Sequence, residues 1–223
     1  MSVELIILGA GGNSISIVDA VEAQALAGDV SFRIAGFLDD IPENQGKRVL
    51  GYPVLGPIEH AAKYPNCLLV NGISSVGSFR KRKEIVARTA AMPERFASIV
   101  HPSAVVSARA TVGRGCVILA NSVICPESVL GDHVLILQGT TVNHHSRLAN
   151  HVTLSAGITI LGFVEVGEGA FVGGGSSVAP YVKIGAGALV GMGSVVIRDV
   201  VERSVAAGNP ARELKDSKYR GSV

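Results

Sequence analysis

VGRGCV ILANSV ICPESV LGDHVL ILQGTT VNHHSR L, residues 112 to 148, places an aliphatic side chain at every sixth position. Extended in both directions, the same count runs Val100, Val106, Val112, Ile118, Ile124, Leu130, Ile136, Val142, Leu148, Leu154, Ile160, Val166, Val172, Val178, Ile184, Val190 and Val196. Four places after these stand mostly small or β-branched residues, among them Ala110, Cys116, Ser122, Ser128, Thr140, Ser146, Ala170, Ser176, Ala188 and Ser194. Each hexad therefore offers two inward-facing positions. A helix needs a period near 3.6 and a lone strand a period of two, so an unbroken period of six means short strands joined at regular corners. That is a β-solenoid. Glycine often follows the aliphatic residue, as in Val112-Gly113, Leu130-Gly131, Val166-Gly167, Ile184-Gly185 and Val190-Gly191, which predicts corners with unusual backbone angles at those glycines.

The composition agrees with repetitive packing of small side chains. Of 223 residues 48% are hydrophobic, only 4% are aromatic, none is Trp and 27 are Gly. A net charge of +2, with the basic residues dispersed, argues against a nucleic-acid partner. Cys67, Cys116 and Cys125 have neither metal-ligand spacing nor the even number of a disulfide framework, and read as small buried hydrophobes in a reducing cytoplasm. The N-terminus carries Glu4 where a signal peptide would be positive, and no apolar run approaches the roughly 20 residues of a membrane helix. A cytoplasmic protein without a membrane partner is expected.

Ahead of the repeats, Val3 to Leu8 is apolar, Gly9-Ala10-Gly11-Gly12-Asn13-Ser14 is a turn, and Ile15 to Leu26 has helical spacing. A second strand, Phe32 to Leu38, ends at Asp39-Asp40; a third covers Cys67 to Val70, and Phe79 to Ala90 reads as a charged amphipathic helix. The expectation is a small Rossmann-like βαβ domain over residues 1–97, a β-helix over 98–202, and a closing segment with a tail over 203–223. A glycine turn of this kind presents backbone N–H groups and a helix N-terminus to phosphate, which suits a nucleotide diphosphate, although a purely structural turn has the same sequence. The strict dinucleotide fingerprint fails, because Ser14 stands where its last glycine belongs.

Gly9-Ala10-Gly11-Gly12, Gly36-Phe37-Leu38-Asp39-Asp40, Val142-Asn143-His144-His145 and Ala207-Gly208-Asn209-Pro210-Ala211-Arg212 resemble the corresponding segments of the hexapeptide-repeat sugar acyltransferases. The resemblance spans nearly the whole chain and is strongest to the nucleotide-linked 4-amino-4,6-dideoxy sugar N-acetyltransferases of bacillosamine and perosamine type, with sialic acid O-acetyltransferases as relatives. It implies a left-handed β-helix, a homotrimer, a nucleotide sugar on the N-terminal domain and acetyl-CoA as co-substrate in the groove between two β-helices. Gly11, Gly12, Asn13, Asp39 and Asp40, with Arg80, are the expected substrate-binding residues. Gly162, Arg198, Asn209, Pro210 and Arg212 are those expected for acetyl-CoA. Two departures stand out: Asn13-Ser14 replaces the family's His-Gly, and His145 replaces an acidic residue after the catalytic histidine.

With three hexads per coil, residues 18 apart stack at strand spacing, about 4.8 Å. His144 then belongs to the column Pro126, His144, Gly162, Pro180, Arg198, where the missing side chain of Gly162 suggests a slot beside the imidazole and an open amide N–H. Acyl transfer needs a base for the attacking amine and a donor for the oxyanion, so His144 and Gly162 are the candidates, with His145 as orienting neighbour. The alternative is a surface histidine at a subunit interface. His133, His145 and His151 share another hexad position, but their spacing fits no zinc set and no metal is expected. His101 reads as structural and His60 as a surface residue. The expected reaction is direct transfer of acetyl from acetyl-CoA to the amino group of a nucleotide-linked sugar. The rivals are O-acetylation of a sugar hydroxyl and a nonenzymatic β-helix scaffold or nucleotide-binding module.

Overall fold

A computed structural model describes residues 2–215. Strand β1 (Val3–Leu8) lies between β2 (Phe32–Leu38) and β5 (Leu68–Asn71), all parallel, with a small antiparallel pair, β3 (Arg48–Val49) and β4 (Tyr52–Pro53), inserted between them in sequence. Leu5 to Leu8 are all fully buried, which explains the continuous apolar run: helices and loops cover both faces of a parallel sheet. Helix α1 (Gly12–Leu26) begins directly in the glycine turn and turns Ile17, Val18 and Val21 inward.

The solenoid starts at Ile99–Val100 and is built of two-residue strands paired 18 residues apart, such as Val123 with Thr141 and Leu135 with Thr153. Its three parallel sheets have six, five and eight strands; the last ends in an antiparallel hairpin of Val205–Gly208 with Ala211–Glu213. This is the left-handed β-helix expected. The aliphatic residue of each hexad fills the interior. Buried Ser122, Ser128, Thr140, Ser146 and Ser176 each donate a hydroxyl hydrogen bond to a carbonyl 15 residues on, so small polar side chains cost little there.

The glycines that follow the aliphatic residues owe their place to crowding, not to backbone angle. A Cβ on Gly167 would lie 2.5 Å from the Ala186 nitrogen of the next coil, and one on Gly131 would lie 2.9 Å from the Asn150 nitrogen. The left-handed backbone falls two residues later, at Asn121, Glu127, His133, His145, His151, Phe163 and Tyr181 as well as at glycines. The repeat also shortens near its end: Val205 pairs with Leu189, and Val200 bridges Ile184, each 16 residues apart instead of 18.

The division expected at residues 97 and 98 falls between the Leu69–Phe96 bridge and the first solenoid strand. The two parts nevertheless share a core, in which Ile17, Val18 and Val21 pack with Val117, Leu119 and Leu135. The N-terminal domain thus sits on the eight-stranded face. The helix expected over 79–90 is instead a 3-10 turn (Phe79–Lys81) followed by α2 (Arg82–Arg88). Burial explains the difference: Phe79 packs on Phe171, and Arg82 is fully enclosed. The expected tail beyond residue 215 lies outside the described residues.

Candidate active site

A cavity of about 590 Å³ opens at the N-terminus of α1, lined by the glycine turn, Asp39 to Ile41, Gly72 to Ser75 and one face of the 78–88 segment. Helix α1 has no side-chain cap and no acidic residue in its first turn, so its leading N–H groups and positive dipole end face this space. A Cβ on Gly11 or Gly12 would meet nothing within 4 Å, which leaves the backbone open to a ligand. Asn13 donates from Nδ2 to the Ser74 carbonyl at 2.8 Å and closes one side. The hydroxyl of buried Ser14 faces the α-carbon of Gly72, so a glycine opposite makes room for the departure from the family turn.

Five of the six expected substrate residues line this cavity, but two of them have specific structural duties. Asp39 is 4% exposed, and its carboxylate accepts from Ala10 N at 2.6 Å and Ile41 N at 2.7 Å, holding the glycine turn in place. Asp40 accepts from Ile58 N and is paired with Arg88 at 2.8 Å. Arg80 is placed elsewhere: its Nε donates to the Gly187 carbonyl at 2.9 Å on the β-helix, and it lines a different cavity of about 300 Å³. The cations that do reach the nucleotide-sized cavity are Lys81 and Arg88. Lys81, Glu84, Ile85 and Arg88 face the cavity at helical spacing, a pattern that already separates Lys81 from Arg80 in the sequence.

His144 and His145 lie at the corner between strand Thr141–Val142 and strand Arg147–Leu148, which belong to the six-stranded and five-stranded faces. That corner is opposite the eight-stranded face on which the N-terminal domain rests. Both imidazoles are exposed, and their Nδ1 atoms are 3.1 Å apart. His145 is stacked on Phe163, with centroids 4.7 Å apart, and Phe163 on Tyr181 at 5.0 Å, so one imidazole is clamped in an aromatic column and the other leans on it. Gly162 lies against the His144 ring, as its place in the column implies. It is buried, and a Cβ there would lie 2.7 Å from His144 Cε1, so the imidazole itself fills the slot.

Arg198 is exposed three coils along the same column, about 14 Å from His144 at strand spacing, and lines a small cavity with Ala211 and Glu213 of the closing hairpin. Asn209-Pro210 is the cis-linked turn of that hairpin, and the exposed Arg212 donates to the Ala211 carbonyl. Histidines 133 and 151 stack in parallel at 5.0 Å near Arg82; burial, reinforced by neighbouring positive charge, lowers each to about 4. Cys67 and Cys116 are buried, whereas Cys125 is partly exposed. Among the described residues no group of three or more His, Cys, Asp or Glu could hold a metal ion, and no helix is long and apolar enough to cross a membrane.

A solenoid of hexads that carries an imidazole at one corner and a glycine-turn domain on the opposite face defines the class of hexapeptide-repeat acyltransferases. The PglD N-terminal domain family matches residues 4–89. Among solved structures, the acetyltransferase domain of PglB from Neisseria gonorrhoeae FA1090 is similar at 31% identity and a TM-score of 0.83, over 95% of this chain and 99% of that one. Its complex with acetyl coenzyme A matches at 30% identity and a TM-score of 0.82, covering 96% of this chain and 100% of the other. PerB from Caulobacter crescentus in complex with CoA and GDP-perosamine matches at 31% identity and a TM-score of 0.82, over 95% and 97% of the two chains. None of the curated proteins matches. The chain belongs to the bacillosamine and perosamine type of hexapeptide-repeat acetyltransferase.

Proposed function

We propose that this acetyltransferase moves the acetyl group of acetyl-CoA onto the amine of a nucleotide-linked amino sugar, with His144 as general base and the Gly11–Gly12 cavity as the nucleotide cradle. The observation that carries the assignment is the Nδ1 to Nδ1 contact of His144 with His145. As a base, His144 needs a lone pair on one nitrogen; in the tautomer in which Nδ1 donates to His145, Nε2 keeps its lone pair for the substrate. The sugar amine attacks the thioester carbonyl as Nε2 takes its proton. The tetrahedral intermediate then collapses, the C–S bond breaks, and the CoA thiolate recovers the proton from the imidazolium. In Caulobacter crescentus, a GDP-perosamine N-acetyl transferase with one histidine changed to alanine still carries CoA and GDP-perosamine, which fits a histidine needed for chemistry rather than binding.

In the cradle, the amide groups of Gly11, Gly12 and Asn13 with Lys81 face the diphosphate, while Arg198 and the Asn209–Arg212 hairpin, including Arg212, attend acetyl-CoA. Gly162 serves by seating His144. The cradle and His144 occupy opposite sides of one prism, so a sugar nucleotide bound by one protomer meets the imidazole of another, and a homotrimer supplies that neighbour. Dependence on acetyl-CoA suits the cytoplasm.

Mixing two inactive variants tests this reading. His144→Ala lacks the base, at an expected cost of about 10²–10⁴ in kcat with ligand affinities kept, and Gly12→Asp repels the diphosphate without crowding the fold. Co-expressed hybrids should regain about a quarter of wild-type activity, the fraction of interfaces that pair an intact base with an intact cradle. Hybrids as inactive as their parents would mean that each site is built within one protomer, and a fully active His144→Ala would remove the base.

A further inference from the structure

The wall of the nucleotide cavity formed by Gly72 to Ser75 is fastened to the β-helix as well as to its own domain. Arg82 is 1% exposed and has no carboxylate partner among the described residues; it donates from Nη1 to the Ile73 carbonyl at 2.7 Å and from Nη2 to the His133 carbonyl at 2.6 Å. One guanidinium thereby joins the cavity wall to a solenoid corner. One residue further, Ser74 Oγ meets Thr153 Oγ1 at 2.8 Å on the eight-stranded face, while the Ser74 carbonyl accepts from Asn13 at the helix N-terminus. The two solenoid anchors, His133 and Thr153, belong to successive coils. Burying a charged guanidinium between carbonyls, with its Nε left unpartnered, is a costly way to hold two surfaces together when an apolar contact would serve for docking alone.

We infer that Arg82 and Thr153 are positioning residues for the sugar nucleotide: the β-helix sets the shape of the cavity through the Ile73–Ser74 segment, although Thr153 does not line it. The inference rests on the cavity being the nucleotide site. Its reach is a specific one, since a solenoid residue that touches no nucleotide should alter nucleotide affinity and leave acetyl-CoA affinity unchanged.

Full-length protein titrated calorimetrically with UDP, GDP, dTDP and, separately, CoA tests it. Thr153→Val, which preserves shape and removes one hydroxyl, should weaken the bound nucleoside diphosphate about threefold to tenfold. Arg82→Met should weaken it more, with partial recovery in Arg82→Lys, and all three should bind CoA within twofold of wild type. If Arg82→Met does not fold, Thr153→Val and Ser74→Ala alone decide. Unchanged nucleotide affinity in folded Thr153→Val and Ser74→Ala would overturn the inference, as would an equal loss of CoA affinity, which marks general loosening. Wild-type protein that binds none of the three nucleotides would instead remove the cavity reading, and the inference with it.

Discussion

Gly162→Ala separates two roles that one glycine can have in acyl transfer. If its amide stabilised the oxyanion, alanine would keep that N–H and activity would barely change. The structure adds a second role, because the missing Cβ makes room for the His144 ring. The added Cβ would lie 2.7 Å from Cε1, 3.1 Å from Nε2 and 3.2 Å from Nδ1 of His144, against an ordinary carbon contact of about 3.5–4.0 Å, so the ring must retreat by about 1 Å. Gly162 does not have a left-handed φ, so the backbone accepts alanine, and the obstacle is a movable side chain. The fold should survive. Displacing a base by about 1 Å costs on the order of 10²-fold in rate, so kcat should fall about that far, with the KM for both substrates little changed. Thiol release during acetyl transfer measures kcat, and a thermal melt checks the fold. Wild-type kcat in a folded Gly162→Ala protein would refute the seating argument and leave only the amide role.

Two further outcomes follow from charge. His133 and His151 titrate near 4 when folded against an ordinary 6.5, so the unfolded chain binds more protons between those values; stability is complete above about pH 6.5 and declines as pH falls toward 4. The melting temperature should drop across that window, and His151→Asn, which tolerates the left-handed backbone there, should recover on the order of 5 °C of the drop; an identical acid profile would exclude the pair as its source. Arg198→Ala and Arg212→Ala should each raise the KM for acetyl-CoA about threefold to tenfold at low salt, the difference from wild type shrinking as salt rises. Equal KM values at low salt would confine both arginines to the surface.

Periodicity made the solenoid legible because each hexad repeats one local solution, and residues that stack are separated by a fixed count. The same count put His144 and Gly162 together. It could not say that the ring occupies the gap, since that depends on side-chain direction. The glycine turn and Asp39 were legible as neighbours of a ligand, yet the Asp39 carboxylate faces the Ala10 and Ile41 amides. Arg80 turns to the Gly187 carbonyl on the β-helix, whereas Lys81, with no role expected of it, lines the cavity beside Arg88. Arg82, Thr153 and Ser74 had no local signal at all: their contacts link residues 51 and 79 positions apart and exist only after two surfaces meet.

Stacked coils also make the β-helix a molecular ruler. Because His144 and Arg198 share one column, their separation along the axis is set by the number of coils between them rather than by any loop. Inserting a single 18-residue coil after Gly162 would move Arg198 away by one rung, about 4.8 Å, while every inward residue kept its register. A fold of this kind can lengthen or shorten its reach for an extended thioester in fixed steps, and leave the geometry around the imidazole untouched.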